Sequence, residues 1–447
     1  MADENTLSLL NDLLRDARAK GADSADAIAV DGVSLSVAFR LGQPEKVERA
    51  EGSDIGLRVF VGKKQALVSS ADRSRQALSE LVERAVAMAR EVPEDEFCGL
   101  AEPDQLATHL PDVDAFDASE PSATDLVDWA RRAEDAARAV PGITNSEGAE
   151  AGWSSSAVAM ASSNGFSRAY RSSHSRIVAV VLAGDAAQGM ERDYDYHSTV
   201  YTADLRSPED IGDSAGRRTV KRLGARKMPT GRFPVVFDPR VSGGLLGHLA
   251  GAINGSAIAR GTSFLKDSMG KQILPRGVQV IDDPHRPRGL RSKPCDGEGL
   301  PNRRRAIVED GVLTSWILDL RSARQLGLQS TGHAARGMSS PPSPSVTNFY
   351  IEPGEQSGAD LIGEIEEGFY VTELIGMGVN GVTGDYSRGA AGFWIEKGKI
   401  TFPVNEMTVA SNLKEMFLNL TAADDLVFRN GIDAPTLRID GMTVAGS

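Results

Sequence analysis

Met228-Pro229-Thr230-Gly231-Arg232-Phe233-Pro234-Val235-Val236-Phe237 divides the chain. Residues 228–231 hold Pro and Gly close together and read as a linker. The apolar run that follows, Val235-Val236-Phe237, reads as a fresh buried strand. The main domain boundary falls here, between residues 227 and 228. Upstream, Leu7, Leu10, Leu14 and Ala17 repeat at helical spacing, with Gly21 as a stop. Residues 25–70 switch to short strands, and Asp31-Gly32 after Ala27-Ile28-Ala29-Val30 predicts a hairpin turn. Leu78, Leu81, Val82, Ala85, Met88 and Ala89 give one apolar face to a helix over 73–92. A Pro- and Asp-rich connection covers 93–121. Ser122 or Thr124 then caps a helix that reaches Ala139 and stops at Pro141-Gly142. A β-meander over 143–200 and a helix over 208–225 follow. Helix, meander, helix thus occurs twice, an internal architectural repeat.

Downstream of the boundary the spacing predicts a small-residue-rich helix over about 240–258. Strands are expected near 304–319, 346–351, 368–375 and 391–404, and helices near 320–326, 358–366 and 411–420. Strands and helices do not alternate as βαβ units, so the fold class is α+β rather than doubly wound α/β. The N-terminal half consists of repeated helix/β-meander units and the C-terminal half of a mixed, β-rich α+β domain. The expected domains are 1–95, 96–227 and 228–447.

A length of 447 residues fits about three domains. The net charge of −13 argues against a protein that tracks nucleic-acid phosphates. Arg303-Arg304-Arg305 reads as a solvated strand face. Hydrophobic residues at 41% suffice for real cores. No apolar run reaches the length of a membrane span, and the acidic start Met1-Ala2-Asp3-Glu4 does not resemble a signal peptide. Cys98 and Cys295 lie far apart with no CxxC, which fits a reducing compartment and predicts a cytoplasmic protein.

Complete catalytic constellations are missing. Gly376-Met377-Gly378-Val379-Asn380-Gly381 satisfies GxGxxG, but Val382-Thr383-Gly384-Asp385-Tyr386 after it reads as turn and strand. A dinucleotide site needs a helix there. Glu191, Asp193, Asp195 and His197 alternate along one strand face, either as metal ligands or as a solvated face whose tyrosines pack inward. His248 sits on the small-residue-rich helix without the neighbouring Glu or second His of a helical zinc site. Neither GxSxG nor GxxxxGK[ST] occurs.

Three C-terminal stretches resemble the TldD/PmbA family, and its PmbA (TldE) branch in particular. They are Arg260-Gly261-Thr262-Ser263-Phe264-Leu265; Asp296-Gly297-Glu298-Gly299 running on to Ala323-Arg324-Gln325-Leu326-Gly327 and Ser330-Thr331-Gly332; and, most specific, Gly378 to Trp394 with Gly384-Asp385-Tyr386-Ser387-Arg388-Gly389 at its centre. The resemblance implies that TldD-type members are zinc peptidases with HExxxH on a helix and a Cys ligand near the C-terminus. It also implies that PmbA-type members lack these and pair with a TldD-type chain. Such heterodimers cleave unfolded or leader-type peptides, peptide-antibiotic precursors among them. An older label for the family is modulator of DNA gyrase.

Aligned without gaps on Arg260-Gly261-Thr262-Ser263, the family's His, Glu and His positions fall on Leu246, Gly247 and Gly251, and no Cys follows Cys295. No catalytic residue and no metal ligand carries over. This chain is therefore expected to be the non-zinc subunit, with zinc in a TldD-type partner and possible homodimerisation when alone. It is expected to touch peptide but neither nucleic acid nor membrane. Asp385, Tyr386, Arg388 and His248 are the expected residues of a peptide tunnel, with extended peptide held by strand addition or along the glycine-rich helix. The rival reading is a non-catalytic regulator of gyrase or of a toxin–antitoxin pair. A third is a self-sufficient hydrolase using the Glu191–His197 face.

Overall fold

Strand β1 (Ser24–Arg40) is the axis of the N-terminal half, paired with β2 (Gln43–Val61) on one side and β4 (Ile143–Ser162) on the other. This is a computed structural model, and it describes residues 4–185 and 189–446. The turn expected at Asp31-Gly32 is not there. Gly32 stays in register between Gly52 and Ser156, and the Asp31 carboxylate accepts from Ser53 Oγ at 2.6 Å and pairs with Arg73 at 2.8 Å. With both strand neighbours present and the carboxylate satisfied, the strand continues. The turn comes instead at Leu41-Gly42, whose positive φ values of 50° and 81° suit a tight type I′ hairpin.

The first unit is helix α1 (Glu4–Ala19), β1, β2, β3 (Lys64–Ser70) and helix α2 (Arg75–Glu91). Leu10, Leu13, Leu14 and Ala17 of α1 join Leu81, Val82 and Ala85 of α2 over Ala27, Leu57 and Val59. The second unit is α3 (Ala123–Ala139), β4, β5 (Ser167–Asp185), β6 (Gly189–Thr199) and α4 (Pro208–Lys221). Ser122 caps α3 by accepting from the Asp125 N–H at 3.2 Å. The strand order β3-β2-β1-β4-β5-β6 sets the two units back to back in one sheet, joined along β1 and β4.

In the C-terminal half, β7 (Gly231–Phe237) leads directly into α5 (Pro239–Ala252). The single helix expected over 240–258 is interrupted at Asn254, whose side chain accepts from the Ser256 N–H and starts a separate helix, α6 (Gly255–Ala259). A small sheet is built from β8 (Val280–Asp282), β9 (Arg305–Glu309) and β10 (Val312–Leu313), then α7 (Leu320–Gln325) follows. β11 (Ala334–Ala335) pairs with β12 (Ser343–Pro344), and β13 (Phe349–Ile351) returns to the small sheet. After α8 (Gly358–Gly363) come β14 (Glu367–Ile375), β15 (Asp385–Glu396) and β16 (Lys399–Asn412). The one strand expected over 391–404 is thus a hairpin, turning at Lys397-Gly398 with φ of 49° and 73°. The chain closes with α9 (Leu413–Leu418), β17 (Leu420–Ala422), β18 (Ile432–Asp433), which joins the small sheet, and β19 (Leu437–Gly446). β16 pairs with both β15 and β19, so β16-β15-β14-β7-β19 closes into a barrel. Val235 and Phe237 of β7 join the main core with Leu245 and Leu249 of α5, while Val236 faces the opposite side with Ile365 and Ile395.

Arginines fasten the two halves together. Arg240 of α5 reaches Asp193 of β6 at 3.0 Å, and Arg222, just past α4, reaches Glu191 at 3.2 Å and Glu373 at 2.6 Å. At the other end of the sheet Asp26 is held between Arg58 at 2.5 Å and Arg336 at 2.8 Å, all three buried. Paired this closely, the charges offset much of the cost of leaving water. No helix among the described residues is long and apolar enough to cross a membrane.

Candidate functional site

Helix α5 starts where the Asp238 carboxylate accepts from the Arg240 N–H at 2.9 Å, with Pro239 in its first turn. Its inner face buries Ser242, Leu245, Leu246, Leu249 and Ala252. Its glycines do two different jobs. A Cβ on Gly243 would stand 2.7 Å from the Ile432 carbonyl oxygen, so glycine there lets the β18 backbone pack directly on the helix. A Cβ on Gly244, Gly247 or Gly251 would meet nothing within 4 Å. Those three positions, at i, i+3 and i+7, leave an uncovered strip of helix.

His248 stands beside this strip, partly buried, with its ring edge-on to Tyr386 at 5.9 Å between centroids and 77° between planes. Tyr386 is 2% exposed, yet its hydroxyl finds no hydrogen-bond partner among the described residues, and burial pushes it up to about 12. Burial first, and then the positive charge of Arg388, hold the His248 imidazole below its usual range. The ring is therefore neutral at neutral pH. Arg388 donates its Nε–H to the Ile375 carbonyl at 3.2 Å. Asp385 lies at the surface, accepting from Thr383 Oγ1 at 2.6 Å and Asn412 Nδ2 at 3.1 Å, bonds that keep its carboxyl below the ordinary value. His248, Tyr386 and Arg388 thus come together, and Asp385 mainly secures the turn beside them.

The glycine-rich segment 376–381 is followed by β15, not by a helix, so it lacks the helix N-terminus that a pyrophosphate needs. It folds back on β15 instead. The Ser387 N–H donates to Gly378 O at 2.7 Å and the Asn380 N–H to Asp385 O at 2.8 Å, while Gly381 O accepts from the Phe264 N–H at 3.1 Å. On its other side β15 pairs Asp385 with Asn412 and Tyr386 with Ser411. The main chain at 385–387 is engaged on both sides, which closes strand addition at this point and leaves the bare face of α5. Ser263 Oγ donates to Ala252 O at the end of α5 at 2.5 Å. Two of the stretches that carry the resemblance, 260–265 and 378–394, meet here.

The acidic stripe of β6 is neither solvated nor arranged for a metal. Asp193 and Asp195 are buried, 4% and 2% exposed, and each carboxylate faces an arginine: Arg240 on Asp193, and Arg206 on Asp195 at 2.9 Å. Glu191 faces Arg222, and His197 Nδ1 accepts the Arg206 N–H at 3.1 Å. It is Tyr194 and Tyr196 that line the other face, partly exposed and stacked at 6.1 Å. The sequence inverted the two faces because the arginines that neutralise the acids come from elsewhere in the chain. Nor do the residues at Leu246, Gly247 and Gly251 fit a zinc ion, since one is a core leucine and two have no side chain. Among the described residues no three His, Cys, Asp or Glu side chains are grouped to hold a metal.

Comparison with known proteins gives this architecture its class. Three family models match in succession: PmbA/TldA metallopeptidase domain 1 over residues 25–89, the central domain over 116–223 and the C-terminal domain over 230–446. The metalloprotease PmbA of Escherichia coli O157:H7 is 39% identical over 426 residues, 95% of this chain and 92% of that protein. A crystal structure from Bacteroides thetaiotaomicron, provisionally named a modulator of DNA gyrase, superposes with a TM-score of 0.92 at 26% identity over 100% of both chains. TldE from Thermococcus kodakarensis shares the fold, with a TM-score of 0.87 at 22% identity over 98% of this chain and 100% of its own. Relatives named as TldD homologues also match. The chain is a metallopeptidase-like α+β protein. It belongs to the PmbA/TldD family, on the PmbA side.

Proposed function

We propose that this chain is the non-zinc subunit of a two-chain peptidase: it forms one wall of a peptide channel, and a TldD-type partner supplies the zinc. The observation that carries the reading is the uncovered strip Gly244-Gly247-Gly251 beside His248, Tyr386 and Arg388. Of the three positions where the family's zinc peptidases carry His, Glu and His, Gly247 and Gly251 present bare backbone here and Leu246 turns into the core. A main chain without side chains can approach an extended peptide of any sequence closely, which suits unfolded or leader-type substrates.

Here the chain binds and positions but does not activate water. Zinc in the partner would polarise the scissile carbonyl. The neutral His248 ring is able to exchange one hydrogen bond with the peptide backbone, and Arg388 offers a charged donor to a peptide carbonyl or carboxylate. The unpartnered Tyr386 hydroxyl gains a partner if a peptide or the neighbouring subunit reaches it. A cytoplasmic location accords with two free, buried cysteines.

The test is reconstitution with a TldD-type chain and an unstructured peptide substrate. Gly247→Leu, which fills the strip, is expected to leave complex formation intact and to lower peptide turnover at least tenfold. Unchanged turnover in Gly247→Leu and in an Asp385→Ala/Arg388→Ala variant would remove the channel assignment. Affinity capture of a topoisomerase, with no zinc-peptidase partner, would favour the regulatory reading instead.

A further inference from the structure

A cleft of about 950 Å³ lies at the other end of α5, between α4 and the outer surface of the barrel. It is lined at one edge by Asp238, ten residues before His248. At 1.5 Å per residue that is about 15 Å along the helix, so this is a separate place from the α5 strip. Its volume is near the upper end of the roughly 300–1,000 Å³ usual for small-molecule sites.

Floor and roof differ in chemistry. The floor is apolar and flat: Tyr370 of β14 and Phe393 of β15 stand directly opposite in register, with Ile400 beside them. The Tyr370 hydroxyl donates to Asp238 Oδ2 at 2.7 Å, which fixes the ring. The roof is the polar face of α4. Most charges lining the cleft are already answered, Asp213 by Arg217 at 2.6 Å on α4 and Asp193 of β6 by Arg240 of α5. Two cations have no carboxylate within ion-pair distance among the described residues, although Arg218 lies near enough to Asp195 to help lower its carboxyl. Arg218 donates only to Ser214 Oγ, at 3.4 Å, and Lys221 lies one turn on. Arg240 lines the same cleft, 2% exposed, and its buried Nε–H makes no hydrogen bond, the Asp238 carboxylate standing 3.6 Å away in an ion pair. The unanswered acid, Asp210, lies eight residues up the helix from Arg218, about 12 Å away. The cleft therefore has a positive end over an aromatic floor. Cations in a last turn complement the helix dipole, but that role needs neither a cleft nor an aromatic floor.

We infer that this cleft binds a small organic anion, with its carboxylate or phosphate oxygens on Arg218 and Lys221 and a flat apolar body on Tyr370 and Phe393. The probes are phenyl phosphate and 3-phenylpropionate, with 2-phenylethylamine as the cationic control, titrated into the full-length protein by ligand-observed NMR. At least one anion is expected to bind saturably, and at least tenfold more tightly than the amine. The Arg218→Ala/Lys221→Ala variant is expected to weaken it at least fivefold, with an unchanged thermal melt. Thr401→Trp, which fills the cleft from an exposed position on β16, is expected to abolish it while leaving both cations in place. Absence of saturable anion binding, equal binding of the amine, or full binding by either variant would overturn the assignment.

Discussion

The His248 ring meets Tyr386 edge-on at 5.9 Å, joining a helix and a strand that lie 138 residues apart in sequence. The contact sets one partly exposed imidazole over one buried phenol whose hydroxyl has no partner. Everything proposed for the peptide wall turns on what those two side chains and the bare helix beside them are free to do.

Tyr386→Phe removes an unpartnered buried hydroxyl. Its folding stability should stay level or rise by about 1 kcal/mol, because a desolvation cost disappears and no internal bond is lost. Thermal unfolding of the purified variant checks this. If the hydroxyl serves peptide or partner, turnover by the reconstituted pair falls while the melt does not. A melt lowered by several degrees would show instead that the hydroxyl holds the fold.

His248 makes stability depend on pH with a definite sign. Its folded value lies below the unfolded 6.5, so between the two the unfolded chain binds the extra proton. The contribution of His248 is therefore full above about pH 6.5 and is lost as pH falls towards the depressed folded value. His174 and His197 are depressed too and add in the same direction. Urea melts at pH 7.5 and 5.5 should show a smaller acid loss in His248→Gln than in the parent. An identical loss in both would contradict the assignment.

Gly243 and Gly247 should respond oppositely to alanine. At Gly243 the new Cβ meets a backbone oxygen at 2.7 Å that cannot move without β18, so a loss of about 1–3 kcal/mol is expected. At Gly247 the Cβ enters open space, and the gain in helix propensity is worth about 0.5–1 kcal/mol. Chemical denaturation of the two single variants decides it.

Asp193→Ala should be among the most damaging changes at the buried contact between the two halves. It takes from Arg240, whose side chain is 2% exposed, its one hydrogen-bonded carboxylate and leaves only Asp238 at 3.6 Å, while Arg222 keeps Glu191 and Glu373; the loss is expected to be about 3 kcal/mol. Combining it with Arg240→Met should recover part of that loss in a double-variant denaturation cycle. A loss below 1 kcal/mol would show that the pair contributes little.

Much of this architecture was legible in the sequence. The apolar spacing of α1, α2 and α3 and the Ser122 cap are local signals, and the structure places those helices within two residues of expectation. Asp31-Gly32 misled because turn chemistry is also tolerated inside a strand paired on both sides, whereas Leu41-Gly42 hides its turn behind a leucine with positive φ. The β6 stripe misled for a longer-range reason. Acid burial there depends on Arg206, Arg222 and Arg240, up to 47 residues away, and a single strand's alternation cannot reveal which face meets them. At the candidate site the expectation of Asp385, Tyr386 and Arg388 rested on family resemblance, and only His248 was also singled out from its own helix. Nothing in the sequence showed that Gly243 and Gly247, on one helix, serve packing and exposure respectively.

The measurement closest to the central claim is zinc content by elemental mass spectrometry, on this chain purified without chelator and again in complex with a TldD-type partner. The account predicts near-zero zinc and no peptide cleavage for the chain alone, then about one zinc per heterodimer with cleavage restored. One zinc per chain with cleavage by the isolated protein would contradict it.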